Sequence, residues 1–150
     1  MKKQKQATTK KIVNRRATYD YALDDSLIVG IQLTGAETKA LRLGHGQLRG
    51  AYVTVKDGEL WLLNATINGT NGVPIAEEEQ TRSRKLLAKH KQIDSLIAAK
   101  QQGRTIVPIE LLTGGRFIKL RIAAGKGKRE YDKRQTSKKR EEQRNIKQII

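Results

Sequence analysis

The sequence predicts a mainly β chain that folds as one domain between two basic extensions. Apolar and polar residues alternate in several short runs, which is the period of half-buried strands. Lys56-Asp57-Gly58 and Thr113-Gly114-Gly115 separate pairs of such runs, as hairpin turns do. The chain of 150 residues is long enough for one domain with a buried core.

The alternating runs define at least five strands. They lie at residues 19–33, with an interruption at 24–26 where a bulge or corner is expected, and at 51–55, 59–67, 105–112 and 116–123. Hairpin-connected strands at short spacing, with few helices, predict a small antiparallel β-barrel that is closed or partly open. Oligonucleotide-binding folds use a scaffold of this type.

Two helices are expected to flank the strands. Residues 37–44 predict a short helix that ends at Gly44. Leu86, His90, Ile93 and Ile97 share one face of a longer helix that ends at Gly103, with His90 half-buried on that face. Several cations then occupy its first turns, where they oppose the helix dipole and favour an anionic partner over a merely solvated face. They are Arg82, Arg84, Lys85, Lys89 and Lys91.

The composition divides the chain into three segments. Residues 1–11 are expected to be a disordered basic arm, residues 12–124 the β-barrel, and residues 125–150 a basic tail. The tail contains almost no apolar residue before Ile146. We expect it to be disordered when free and helical when a partner orders it, because its charged residues are good helix formers.

The charge distribution indicates a polyanion as the partner. The formal net charge is +16, with 31 Lys and Arg against 15 Asp and Glu. Residues 1–16 hold seven basic and no acidic residues, and residues 125–150 hold ten basic and four acidic ones. Neutralising phosphates with such ends releases condensed counterions, which favours nucleic acid over the alternative of a charge excess that serves solubility.

Other classes of function lack support in the sequence. No cysteine is present, no apolar run resembles a signal peptide or a membrane span, and a cytoplasmic protein without a membrane partner is expected. Phosphate-binding glycine loops and His-Glu-x-x-His spacings do not occur, so we expect no catalytic residue, metal or cofactor. His45, between two glycines, is instead an exposed imidazole that can touch RNA.

Four motifs follow one another along the chain: Asn14-Arg15-Arg16-Ala17 with Asp20-Tyr21, the segment from Leu33 to Arg42, the segment from Thr81 to Leu87, and Tyr131-Asp132-Lys133-Arg134 after Gly127-Lys128. They resemble motifs of the small protein B family, the tmRNA-binding proteins of bacterial trans-translation. The resemblance extends from about Ile12 to the C-terminus. The order and spacing of the four motifs make coincidence improbable.

This resemblance implies an oligonucleotide-binding-type barrel and a non-enzymatic role in ribosome rescue. The barrel would bind the tRNA-like domain of tmRNA, and the tail would occupy the empty mRNA channel and decoding centre of a stalled 70S ribosome, against small-subunit rRNA. Elongation factor Tu would take part indirectly, through alanyl-tmRNA. The chain is expected to act as a monomer, and its tail to become helical on the ribosome.

The expected site residues form two groups. The tmRNA group is Asn14, Arg15, Glu37, Lys39, Arg42, His45, Arg82, Arg84, Lys85 and Leu87. The ribosomal tail group is Lys126, Lys128, Arg129, Tyr131, Asp132, Lys133 and Arg134. Arg and Lys clamp phosphates, Asn reads or braces a base edge, and Tyr offers a stacking plane.

The sequence also departs from the family pattern. Ile28 stands two residues before Gly30, where the family usually has an acidic residue, and the central loop is shorter than usual. The main alternative function is a ribosomal or rRNA-assembly protein with the same barrel and basic arms. An RNA nuclease or modifying enzyme is a more distant alternative, because no convergent acid, base or metal set is visible.

Overall fold

The computed structural model describes residues 11–128 and 130–149, which form ten strands and five helices. Their order is β1 (Lys11–Val13), α1 (Arg15–Asp20), β2 (Tyr21–Leu23), β3 (Leu27–Ile31), α2 (Gly35–Arg42), β4 (Gly46–Gln47), β5 (Tyr52–Lys56), β6 (Glu59–Leu63), β7 (Thr66–Ile67), α3 (Glu77–Gln80), β8 (Arg84–Leu87), α4 (His90–Gln101), β9 (Thr105–Leu112), β10 (Lys119–Gly127) and α5 (Glu130–Ile149). The expected arm falls on residues 1–10, outside the described residues, and on Lys11, which begins β1.

Six antiparallel strands close into a barrel, which confirms the predicted fold class. The ring runs β9-β5-β6-β8-β3-β10 and closes through the pairing of β10 with β9. β1 extends the sheet beside β9, and β2 extends it beside β10. β4 and β7 pair separately as a small two-stranded sheet. Closure leaves the six strands without a free edge.

The barrel interior is filled by side chains from alternating positions. Leu60 and Leu62 of β6 are buried, whereas Glu59, Trp61 and Leu63 on the same strand lie at least partly in solvent. Buried residues from the other barrel strands join them: Val29, Ile31, Val53, Leu86, Ile106, Leu111, Leu120 and Ile122. The period of two therefore decides which side chains build the core and which are presented outward.

The hairpin between β5 and β6 has the predicted turn. Asp57 and Gly58 both have positive φ, at 54° and 74°, as a type I′ turn requires. The strand register then places Val55 opposite Leu60 and Val53 opposite Leu62. The local turn chemistry thus fixes which side chains of both strands face the core.

The barrel extends further along the sequence than predicted. β10 continues to Gly127, since residues 125–127 pair with β2, so the predicted boundary after residue 124 is wrong. At Gly125 a Cβ atom would lie 2.9 Å from Leu23 Cδ2 and 3.0 Å from the Ala22 carbonyl oxygen, so glycine favours this close approach of β10 to β2. The tail begins only after Lys128, whose N–H donates to the carbonyl of Asp20 at 2.8 Å.

The long helix is shorter than predicted and starts later. Residues 84–87 form strand β8, and α4 begins at His90, which is exposed rather than half-buried. α4 packs through Ile93 and Leu96. Arg82, Arg84 and Lys85 therefore do not lie on a helix, and the argument from the helix dipole does not apply to them.

The loop at residues 68–80 is largely irregular, as predicted, but ends in the single helical turn α3. Helix α1 was not predicted. No helix within residues 11–128 and 130–149 combines the length and apolar character needed to cross a membrane.

Candidate nucleic-acid interface

A buried ion cluster of Glu37, Arg82 and Arg84 joins helix α2 to strand β8. Arg84 Nε donates to Glu37 Oε2 at 2.6 Å, and Arg82 Nη2 donates to Glu37 Oε1. The Arg84 and Glu37 side chains are 0% and 1% exposed, whereas Arg82 is partly exposed. We call these three residues the arginine cluster.

Every N–H group of the Arg84 guanidinium has an acceptor. Besides the bond from Nε to Glu37, Nη1 donates to the carbonyls of Ala65 and Arg82, at 2.8 and 3.1 Å. Nη2 donates to the carbonyls of Glu79 and Gln80, at 3.3 and 3.0 Å. Full satisfaction of five donors is what makes a buried guanidinium tolerable. Arg84 thereby ties α3 and the chain before β7 to α2.

Glu37 also caps the helix that carries it. Its N–H donates to Thr34 Oγ1 and its Oε1 accepts from the Thr34 N–H, which is a capping box at the start of α2. Burial alone raises the pKa of the Glu37 carboxyl, but hydrogen bonds from Arg82, Thr34 and Arg84 outweigh it and hold that pKa below its ordinary value. Glu37 is therefore an anion at neutral pH.

The burial of Glu37 and Arg84 fits a role in supporting the expected tmRNA surface rather than in contacting RNA. Neither side chain reaches the surface, so neither can contact an RNA phosphate or base directly. Their hydrogen bonds instead fix the relative positions of α2, α3 and β8. They support the surface on which the other predicted residues lie.

The C-terminal end of α2 presents polar side chains to solvent. Lys39 and His45 are exposed. Gly44 has φ of +83°, and the N–H groups of Gly44 and His45 donate to the carbonyls of Leu41 and Ala40 in a Schellman motif. This reversal projects His45 at the helix end. The Arg42 guanidinium, by contrast, is used within the protein, because it donates to carbonyls of the loop between β9 and β10.

A second surface lies outside the barrel on β3 and β8. Lys85 and Leu87 face outward because they alternate with buried Arg84 and Leu86. Leu87 is 49% exposed and lies beside Ile28, Lys89 and His90 in an open groove. Lys85 forms an ion pair with Glu59 at 2.9 Å. Ile28 stands where the family usually has an acidic residue, so this groove is more apolar than the family pattern predicts.

Asn14 and Arg15 differ in exposure although they are adjacent. Asn14 is buried, and its Nδ2 donates to the carbonyl of Pro108 at 2.8 Å while its N–H donates to that of Ile109. It therefore braces the start of α1 against β9, and its burial leaves little of the amide for contact with a base. Arg15 is exposed on α1 and keeps its predicted availability.

Helix α5 begins at Glu130, and its side-chain contacts reach α1. Lys133 Nζ lies 3.7 Å from Asp20 Oδ1, and Arg140 Nη2 donates to Thr18 Oγ1 at 2.9 Å. The cleft between the two helices is lined by Arg15, Arg140 and Arg144. Lys126 and Arg134 are exposed, and Lys128 is partly exposed.

Some tail residues are not among those that the structure describes. Arg129 lies outside the described residues, and the side chains of Tyr131 and Asp132 are likewise outside them, although both belong to α5. The expectation of a tail that is disordered when free stays a prediction. Arg140 and Arg144 were missed in the sequence, although residues 133, 137, 140 and 144 follow the spacing of one helical face.

The geometry defines a class of protein. Exposed cations lie on α1, on α2 and outside β8, around a closed antiparallel barrel, and the described residues contain no group of His, Asp and Glu that could hold a metal ion. Cationic side chains on such a barrel clamp phosphates. The fold and surface thus define a β-barrel of the nucleic-acid-binding type.

Comparison with known proteins gives the family. The family model described as SmpB protein matches residues 11–150, and the chain belongs to this family. An SsrA-binding protein of Streptococcus thermophilus is 41% identical over 138 residues, which are 91% of this chain and 90% of that protein. One from Trichormus variabilis is 41% identical over 139 residues, with the same coverage.

A solved structure supports the same assignment. A chain from "tmRNA-SmpB: a journey to the center of the bacterial ribosome" is 32% identical and aligns with a TM-score of 0.66. The alignment covers 83% of this chain and 92% of that chain. The resemblance to the small protein B family is therefore confirmed.

Proposed function

We propose that this protein binds tmRNA and acts with it in the rescue of stalled ribosomes. The observation that carries the proposal is the similarity to SsrA-binding proteins over about nine-tenths of both chains. The family match at residues 11–150 includes the barrel and the tail. The solved structure with a shared fold comes from tmRNA-SmpB on the bacterial ribosome. Both partners are RNA-rich, in agreement with the net charge of +16.

The barrel and the tail have separate binding roles. The barrel binds the tRNA-like domain of tmRNA through cations on the outside of α1, α2 and β8, with the arginine cluster holding α2 and β8 in place. The tail enters the empty mRNA channel and decoding centre, where its Lys and Arg face rRNA phosphates and Tyr131 stacks on a base. Rigid placement of the barrel residues lowers the entropy cost of binding RNA.

The proposal makes the protein an adaptor without a reaction of its own. It acts as a monomer in the cytoplasm, where its ribosome partner is, and meets elongation factor Tu only through alanyl-tmRNA. Its contribution is to place the two RNAs, so its variants should alter affinity and the yield of tagged nascent chains. No substrate turnover is expected.

RNA crosslinked to the protein in its own cells tests this proposal. Sequencing should recover one tRNA-like RNA far above its cellular abundance, and small-subunit rRNA mainly when ribosomes are stalled by mRNAs without stop codons. Stoichiometric recovery in ribosomes that are not stalled, without tmRNA enrichment, would instead make the chain a ribosomal or rRNA-assembly protein.

A further inference from the structure

The loop between β9 and β10, residues 113–118, presents the only phenylalanine of the chain to solvent. Phe117 is 69% exposed, the largest exposure among the exposed large apolar side chains of the described residues. Its neighbour Ile118 is 6% exposed and belongs to the barrel core. The core therefore anchors the loop directly beside a ring that the fold leaves outside.

Arg42 holds this loop in place from helix α2. Its Nη1 donates to the carbonyls of Thr113 and Gly115 at 3.1 and 2.9 Å, and its Nη2 donates to the carbonyl of Arg116 at 2.9 Å. Three bonds from one planar guanidinium fix three peptide groups of the loop. Phe117 thus stands on a backbone that is braced on both sides, by Arg42 before it and by Ile118 after it.

Arg116 adds a cation beside the ring. Its guanidinium carbon lies 5.6 Å from the centroid of Phe117, within the range of a cation–π contact. A guanidinium plane next to an aromatic ring is a combination on which nucleobases stack. Leu43, which is 57% exposed at the end of α2, supplies further apolar surface next to Arg42.

The two segments that Arg42 joins carry charge of one sign. Between Glu37 and Asp57, and again between Glu110 and Glu130, the sequence contains no Asp or Glu. The two segments that Arg42 joins therefore present Lys39, Arg116 and Lys119 without an acidic residue of their own. An apolar patch that docks a protein usually lacks charge at its centre, whereas cations around one exposed ring match a base flanked by phosphates.

We propose that Phe117 and Arg116 form a stacking platform for an unpaired nucleobase of an RNA partner, with Arg42 as its positioning residue. The platform lies on the β9–β10 loop, whereas the predicted barrel contacts lie on α1, α2 and β8. The identity of the RNA rests on the proposed function, in which tmRNA and rRNA are the partners. The stacking itself is tolerant of sequence, because every base has a π-face.

Affinity for a single-stranded uridine 12-mer tests the platform in the full chain. Phe117→Leu keeps an apolar side chain but lacks the flat ring, and should weaken binding about 5- to 150-fold if one base stacks. Phe117→Tyr should bind like the original chain. The slope of log affinity against log salt should stay unchanged in Phe117→Leu. In Arg116→Gln the magnitude of this slope should fall by about 0.7 if Arg116 meets a phosphate.

Controls separate this role from folding and from other aromatic surfaces. Tyr52→Leu removes an exposed aromatic ring on β5 and should leave affinity unchanged. The unfolding midpoint of Phe117→Leu should equal that of the original chain, because the ring is mostly in solvent. Equal affinity of Phe117→Leu and the original chain for the 12-mer would overturn the platform.

Binding of tmRNA by the original chain, measured in parallel, tests the proposed function separately. If tmRNA binds but the 12-mer affinity does not depend on Phe117, only the platform fails. If neither RNA binds, both proposals fail. A benzophenone amino acid at position 117 should crosslink to RNA in purified stalled ribosomes that carry tmRNA. Crosslinking only to a protein would overturn the platform and would indicate that Phe117 contacts a protein instead of a base.

Discussion

Arg84 and Lys85 are adjacent and equally charged, yet they face opposite sides of the barrel wall. Strand alternation places Arg84 inside, with all five of its donors satisfied, and Lys85 outside, beside Glu59. The sequence did not predict this difference, because a buried charge breaks the apolar alternation that marks a strand. Only the tertiary partners, Glu37 and four backbone carbonyls, make an interior arginine acceptable.

Removing the buried arginine should be costly. We expect Arg84→Met to lower the free energy of unfolding by about 3–5 kcal/mol, since it leaves the buried Glu37 carboxylate with one cation fewer and removes the guanidinium donor from four carbonyls. Lys85→Met is the matched control on the same strand and should change it by less than about 1 kcal/mol. Urea denaturation measures both. A loss below about 1 kcal/mol in Arg84→Met would show that the cluster is not structural.

Glu37 should make stability depend on acid pH. Its folded-state pKa lies below its ordinary value of 4.5, so the folded state favours the carboxylate. The resulting stabilisation is fully present above the unfolded-state pKa and is lost as pH falls from about 4.5 through the lower folded-state pKa. The group gives no pH dependence near neutrality.

Glu37→Gln isolates this contribution. The difference in free energy of unfolding between the original chain and Glu37→Gln should be constant from pH 7 to about 5 and should narrow between about 4.5 and 3. Urea titrations at pH 7, 5, 4 and 3 provide the measurement. A difference that stays constant to pH 3 would mean that Glu37 is not stabilised as an anion.

At the scale of elements, local rules predicted what local interactions determine. The turn at Asp57-Gly58 needs positive φ at two residues, and the end of α2 needs a left-handed Gly44, so both are readable from residue type. Helix α1 has six residues and one buried side chain, Ala17. So short a helix is held by tertiary contacts such as that of Asn14 with β9, which the sequence does not display.

The end of β10 gives a prediction about truncation. A chain that ends at Ala124 loses the pairing of residues 125–127 with β2 and should lose about 1–3 kcal/mol of stability, from a few backbone hydrogen bonds. A chain that ends at Lys128 keeps this pairing and should match the full chain. Thermal and urea unfolding of the two truncations make the comparison. Equal stability of both would show that β2 does not depend on residues 125–127.

At the scale of the whole molecule, the charge excess gives binding a strong salt dependence. If about five phosphates are neutralised by the barrel, log affinity for tmRNA against log salt should have a slope of about −3.5 to −4.5. Lys85→Ala should reduce the magnitude of this slope by about 0.7 to 0.9 if Lys85 exchanges Glu59 for a phosphate. Fluorescence anisotropy between 50 and 400 mM salt, an experimental range of about one decade, measures both. A flat titration would exclude phosphate contacts as the basis of binding.

The division into barrel and tail predicts that RNA binding and ribosome rescue are separable. A chain ending at Lys128 retains every barrel strand, so it should keep its fold and most of its tmRNA affinity. It loses only the long-range attraction of the tail, which salt screens beyond about 8 Å. Tagging of nascent chains on stalled ribosomes should fail, because the residues that offset the entropy of ordering the tail in an RNA-walled channel are gone.

Substitutions within the full chain distinguish the contacts of the tail with the ribosome from its contacts with α1. Replacing Asp132, Lys133 and Arg134 by Ala should abolish tagging while tmRNA binding persists. Asp20→Asn weakens the ion pairs of Asp20 with Lys133 and with Arg16 and should tag normally, because such partly exposed ion pairs contribute little. Scrambling residues 2–10 should also leave tagging intact, since the proposed ribosomal contacts lie at the other end of the chain. Normal tagging by the chain that ends at Lys128 would contradict the two-part mechanism, because no tail would then remain to enter the mRNA channel.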